Sequence, residues 1–234
     1  MKTIILAAGK STRLLPLTKE THQCLLKVRN KTILEYQLSA LNKAEIKDII
    51  VMCGYMADGV EAFCERLGVS TLFNPFYNVS GMAMTLWTAR EELRGGFMLL
   101  YSDILFKPRV ISDLLKNKSD ICLAIKKWGL REEAERVIEK QGLVQKISKT
   151  KLEGENGEFI GIAKFSDIGV EKLIEQLNAT AKNNLNASFI DIVDQLIKRT
   201  ERVTVQDIKT AHFVDIDFPS DLKKAEEFLG ELDL

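Results

Sequence analysis

Two histidines and four scattered cysteines leave this 234-residue chain short of soft metal ligands. Cys24, Cys53, Cys64 and Cys122 form no C-x-x-C pair, and His22 stands far from His212, so a zinc site has little support. The remaining reading is four reduced core thiols in a cytoplasmic protein, because disulfides belong to oxidising compartments. An excess of either charge is missing too: 33 basic residues balance 33 acidic ones. Nucleic acid is thereby disfavoured as the main partner, since domains that bind it are usually strongly basic. A small basic pocket inside a neutral shell stays compatible with that balance. No apolar run approaches the ~20 residues of a membrane span. The N-terminus carries one lysine and a short, strand-like apolar stretch, which argues against a signal peptide.

What is present is an ordinary core composition, 46% hydrophobic and 28% charged, in a chain long enough to bury a sizeable interior. The most informative stretch runs from Leu6 to Val28. A short apolar strand, Thr3-Ile4-Ile5-Leu6, ends in Ala7-Ala8-Gly9 and gives way to a polar loop carrying Arg13. Small side chains at the strand end let the backbone approach a bound group closely. The loop amides can then point at phosphate oxygens while Arg13 supplies a fixed positive charge. Chemistry on a nucleoside triphosphate is the first expectation.

Strand-like and helix-period segments alternate through the first half. Ile4 to Ala7, Ile49 to Met52, Val69 to Phe73 and Phe97 to Tyr101 read as strands. Lys31 to Lys43, Ala57 to Arg66 and Met82 to Leu93 read as helices. After a strand at Ile121 to Ile125, residues 126–165 are charged and weakly periodic, with short strands at Arg136 to Ile138, Leu143 to Ile147 and Glu158 to Phe165. Helices follow at Val170 to Lys182 and Phe189 to Lys198, then strands at Val203 to Val205 and Phe213 to Ile216. A last helix spans Pro219 to Leu229, with proline in its first turn and Gly230 as its stop. This order predicts an α/β protein: a Rossmann-like three-layer sandwich with a mixed, mostly parallel sheet and ligands beyond the strands' C-terminal ends. We expect one domain over residues 1–234, with a substrate-side elaboration near 126–165.

Five blocks in order then resemble a known family. They are L-A-A-G-K-S-T-R-L with Pro16 and Thr18, Asn74 to Trp87, Tyr101 to Phe106, Gly157 to Ile162, and Val214 to Pro219. Together they resemble the nucleotidyltransferases that activate sugar phosphates and phosphocholine, most of all the bacterial phosphocholine cytidylyltransferase-like branch. The resemblance implies a nucleotide-diphospho-sugar transferase-like fold. It also implies a Mg²⁺-dependent transfer of a nucleoside monophosphate, CMP from CTP on this branch, to a small phosphorylated acceptor such as phosphocholine. Sugar-1-phosphate chemistry with UTP, dTTP or GTP is the alternative, and a nucleotide-binding paralogue with little catalysis is another. Partners are then the triphosphate and its acceptor, with no nucleic acid or membrane; a homodimer is left open.

By the same resemblance Arg13, Asp103 and Asp217 are the catalytic residues. Leu6, Ala7, Ala8, Gly9, Lys10, Ser11, Arg13, Gln23, Ser80, Gly81 and Asp103 surround the nucleotide. Asp103 and Asp217 hold Mg²⁺, which favours carboxylate and phosphate oxygens. Strand alternation puts Asp215 on the same side as Asp217, so it too can reach the ion. Trp128, Lys149, Glu158 and Phe159 are candidates for the acceptor side. The family's Thr-Pro-Lys is here Thr21-His22-Gln23. Lys10, Lys27, Lys149 and Arg136 are candidates to replace the missing lysine, and His22 could help only if protonated. Ser80 is placed to cap the following helix, whose start Gly81 would open to an anion.

Overall fold

The computed structural model describes residues 1–208 and 212–230. The first half contains β1 (Lys2–Ala7), the short hairpin β2 (Lys27–Val28) and β3 (Lys31–Thr32), α1 (Ile33–Lys43), β4 (Ile49–Cys53) and α2 (Ala57–Arg66). Next come β5 (Ser70–Phe73), α3 (Met82–Thr88), β6 (Phe97–Tyr101), β7 (Ile104–Phe106) and α4 (Pro108–Lys116). The second half holds β8 (Ile121–Lys126), β9 (Glu135–Lys140), β10 (Leu143–Ser148), β11 (Gly157–Phe165) and α5 (Asp167–Ala181). It finishes with α6 (Phe189–Lys198), β12 (Val203–Asp207), β13 (Phe213–Asp215) and α7 (Asp221–Gly230).

Among the described residues, the main sheet has the order β5-β4-β1-β6-β11-β8-β12-β10-β9. β5, β4, β1 and β6 run parallel, as do β8 and β12, while β11 runs antiparallel between β6 and β8. The α/β class and the mixed sheet are therefore as expected. Side-chain alternation along β1 explains the layers: Ile4 and Leu6 enter one core, and Ile5 and Ala7 the other. α3, α5 and α6 cover the first face; α1, α2 and α4 cover the second. No described helix is long and apolar enough to cross a membrane.

Local chemistry sets most of the helix starts. The Thr32 side chain accepts the amide of Glu35 while Glu35 returns to the Thr32 amide, and Ser188 with Asp191 repeats that box at α6. Ser166 caps α5. Three helices depart from expectation. α3 stops at Thr88, and a 3-10 turn covers Arg90–Leu93. α4, which the periodicity reading leaves out, has Pro108 in its first turn and buries Val110, Ile111 and Leu114. α7 begins at Asp221, not Pro219, because the Asp221 carboxylate accepts the amides of Asp217 and Phe218. Gly230 is its last residue.

Two features position the site. The first is a fork in the sheet. The C-terminal half of β11 pairs with β6, but Gly157 to Phe159 pair with β9 instead. The change of partner occurs around Gly161, where φ is +77° and an added Cβ would lie 2.8 Å from the Tyr101 ring. Only glycine satisfies both constraints. The second is a small core of Leu14, Leu26, Val28, Ile33, Leu105, Ile216, Ala225, Phe228 and Leu229. It clamps the N-terminal loop against β13 and α7, and so carries Arg13 and Asp217 to the same place.

Candidate active site

A cavity of about 190 Å³ opens at the C-terminal ends of β1 and β6. Leu6, Ala8, Gly9, Ser11, Gln23, Ser80, Gly81 and Asp103 line it, together with His22 and Thr85. The loop above it is pinned from within. The Thr18 hydroxyl donates to the Ser11 carbonyl (3.1 Å), and His22 Nε2 donates to the Gly9 carbonyl (3.1 Å). With Nε2 donating, His22 Nδ1 accepts the Cys24 amide (3.2 Å). Burial pushes the His22 imidazole down to about 4, so it is neutral at physiological pH. It braces the loop and brings no charge to phosphates, which corrects the role considered for it. Ala7 faces the core and Lys10 is exposed; neither lines the cavity.

A second cavity of about 400 Å³ lies in the fork between β6 and β9. It shares Met82, Tyr101 and Asp103 with the first, and adds Arg13, Arg131, Glu135, Lys149, Phe159, Asp215 and Asp217. Phe159 meets the Tyr101 ring edge-on at 5.7 Å between centroids. The Tyr101 hydroxyl donates to Glu135 (3.2 Å). Burial lifts the Glu135 carboxyl to about 7, with Lys149 pulling the other way.

The carboxylates converge where the cavities meet. Asp103, Asp215 and Asp217 each offer one oxygen, and these lie within 4.8 Å of one another. Asp103 Oδ1 is buried without a hydrogen-bond partner. Burial, then the neighbouring Asp217, raises the Asp103 carboxyl to about 7; burial and Asp103 raise Asp215 as well. Two guanidinium groups oppose this crowding. Arg13 donates to Asp217 and to Glu133, and lies over the Phe218 ring. Arg131 reaches Glu158 (2.6 Å), Asp215 (2.7 Å) and Asp217 (3.6 Å). An all-oxygen set with an unpartnered buried oxygen fits a hard divalent cation such as Mg²⁺.

Several candidates lie outside the cavities or make contacts other than those expected. Trp128 is 83% exposed and lines neither cavity. Glu158 is fully buried and engages Arg131 and Lys126, so it supports the site from behind instead of contacting an acceptor. Ser80 does not cap α3: its hydroxyl donates to the Phe76 carbonyl. Gly81 is not an open anion seat, since its amide donates to Leu185 (2.8 Å) and an added Cβ would strike the Ala187 carbonyl at 2.3 Å. Gln23 Nε2 donates to the Ile216 carbonyl (2.7 Å). Among the cations weighed as substitutes for lysine, Arg136 is held by Glu155 and by the Glu132 carbonyl, and Lys27 sits outside both cavities. Sequence reasoning missed Arg131 and Glu135 as site residues. The only signal for Arg131 was its place in the charged 126–165 segment.

Comparison with known proteins fits this geometry. Residues 3–160 match the MobA-like NTP transferase domain. The chain is 27% identical to the CTP:phosphoglutamine cytidylyltransferase of Campylobacter jejuni, across 95% of this chain and 98% of that one. It is 28% identical to the choline-phosphate cytidylyltransferase of Streptococcus pneumoniae, across 98% of both. The solved CTP:phosphocholine cytidylyltransferase of Streptococcus pneumoniae superposes with a TM-score of 0.80 at 24% identity, over 97% of this chain and 98% of that one. The inositol-1-phosphate CTP transferase of T. maritima gives 0.84 at 20%, over 99% and 95%. At such identities the structures speak for the fold, while the domain match spans well over half of the sequence. The chain therefore belongs to the MobA-like NTP transferase family, and it is a nucleotidyltransferase.

Proposed function

We propose that this protein is a Mg²⁺-dependent cytidylyltransferase that transfers CMP from CTP to a small phosphomonoester and releases pyrophosphate. The observation that carries the reading is the meeting of Asp103, Asp215 and Asp217 at the junction of two cavities, faced by Arg13 and Arg131. The nucleoside binds in the smaller cavity, against Ala8, Gly9 and Ser11. The acceptor binds in the fork, beside Lys149, Phe159 and Glu135. The choice of cytosine rests on the cytidylyltransferase relatives.

An oxygen of the acceptor phosphate bonds to the α-phosphorus; the bond from that phosphorus to the bridging oxygen of the β-phosphate breaks, and pyrophosphate leaves with the electron pair. A phosphomonoester is largely dianionic at pH 7, so its attacking oxygen needs no general base. The protein's task is alignment and neutralisation of charge. Asp103, Asp215 and Asp217 are the residues that would hold Mg²⁺, which supplies positive charge to the triphosphate when bound. Arg13 stands at the mouth of the acceptor cavity, where its guanidinium can exchange Asp217 for phosphate oxygens.

A product screen tests this. Each of CTP, UTP, dTTP and GTP is incubated with Mg²⁺ and a panel of phosphomonoesters that includes phosphocholine and sugar 1-phosphates, and pyrophosphate is measured. CTP with a non-sugar monoester is expected to turn over fastest. Turnover only with another triphosphate and a sugar 1-phosphate would replace this reading with sugar activation. Triphosphate binding without pyrophosphate across the panel would reduce the protein to a nucleotide-binding paralogue.

A further inference from the structure

We propose that Arg131 is a catalytic residue that grips the phosphate of the acceptor; the inference rests on the transferase reading above. Its guanidinium is bonded on two opposite edges. Nε donates to Glu158 Oε1 (2.6 Å), and the Arg131 amide donates to Glu158 Oε2 (2.9 Å). Glu158 is fully buried and Lys126 lies 3.5 Å from it, so this anchor is fixed. The two Nη groups point the other way, to Asp215 and Asp217, from a side chain that lines the acceptor cavity. Arginine presents five donors in a rigid fork, so the Nη edge remains free to change partners while Nε stays bound.

The partners at that edge are the carboxylates suited to a divalent cation. Three acidic groups share one small volume, offset here by Arg13 and Arg131. With Asp215 and Asp217 engaged by a cation, the Nη groups of Arg131 would be released, and an acceptor phosphate in the same cavity would be the anion nearest to take them. Gln23 sharpens the argument. Its amide reaches the Ile216 carbonyl, between Asp215 and Asp217, from the nucleotide side, but carries no charge. Arg131 approaches the same strand from the acceptor side and supplies the positive charge that the loop lacks. Of the cations weighed from the sequence as substitutes for the lysine, Lys149 lines the same cavity as Arg131.

Arg131→Met, Arg131→Lys and the wild-type protein are to be compared in steady-state kinetics with phosphocholine or the best acceptor of the screen. Calorimetry with inorganic phosphate and phosphocholine, in Mg²⁺ and a non-hydrolysable CTP analogue, gives a second readout. Circular dichroism checks folding. For Arg131→Met, kcat/KM for the acceptor is expected to fall about 100-fold, phosphate binding to vanish, and affinity for the analogue to stay within about threefold. Arg131→Lys, which keeps the charge but loses the fork and the Nε anchor, should fall about tenfold. Kinetics within about threefold of wild type for Arg131→Met, or equal losses in analogue and phosphate binding, would overturn the assignment. If the wild type releases no pyrophosphate yet binds phosphate through Arg131, the transferase reading fails and the anion role of Arg131 stands. If it binds no phosphate either, the role of Arg131 falls with it.

Discussion

Asp103 holds a carboxyl group under opposing demands: its Oδ1 is buried without a partner, and burial with Asp217 lifts it to about 7. Such a group is costly to the fold and suited to a cation. Asp103→Ala should therefore abolish pyrophosphate release while leaving the metal-free melting temperature equal or higher, because crowding with Asp217 is relieved. An active variant would remove the metal role. His22 behaves in the opposite sense. Its folded pKa of about 4 lies below the ordinary 6.5, so the neutral form is the one the fold accommodates. The stabilisation from keeping it neutral is present above 6.5 and is lost as pH falls towards 4, on the order of 3 kcal/mol in total. Urea unfolding between those limits should show a steeper loss for wild type than for His22→Gln. Parallel curves would mean that His22 is not the group being protonated.

The fork of β11 between β6 and β9 is what opens the larger cavity. Its hinge is Gly161, with positive φ and the Tyr101 ring against its Cα. Gly161→Ala should cost about 3 kcal/mol, from the left-handed backbone and the overlap together, measured by denaturant unfolding. Tyr101 must move to admit the methyl group, so the same variant should raise KM for the acceptor. A loss below about 0.5 kcal/mol would show that the bulge relaxes freely. The elements themselves were mostly legible. Short apolar runs marked β1, β4 and β6, and helical spacing marked α1 and α6. α4 escaped although Val110, Ile111 and Leu114 have helical spacing, and α3 ended early at Thr88.

For the molecule as a whole, the site is assembled from distant parts of the chain. Arg13 and Asp217 pair because Leu14, Ile216, Phe228 and their neighbours form a third core. A ligand that binds the folded form alone draws on this assembly and raises its stability. CTP with Mg²⁺, each at about 100 times its dissociation constant, should add roughly 3 kcal/mol or more and raise the melting temperature. Asp217→Asn should lose most of that gain. If the shift is unchanged, Asp217 is not part of the ligand site.

Sequence alone determined the layer order and the local chemistry: the apolar strands, the small residues ending β1, and the ordered blocks holding Arg13, Asp103 and Asp217. These are properties of neighbouring residues, and periodicity or motif spacing records them directly. Tertiary structure decided the rest. Trp128 and Glu158 have the right side chains for an acceptor, yet one is exposed and the other fully buried. Arg131 and Glu135 lie on either side of the turn into β9, and only the pairing of β9 with β11 aims them into the fork. His22 reads as a candidate for phosphate contact until its burial and the Gly9 carbonyl beside it are seen. Whether a polar side chain serves the fold or the ligand depends on which partners the folded chain brings within hydrogen-bonding reach, and those partners come from residues far away in sequence.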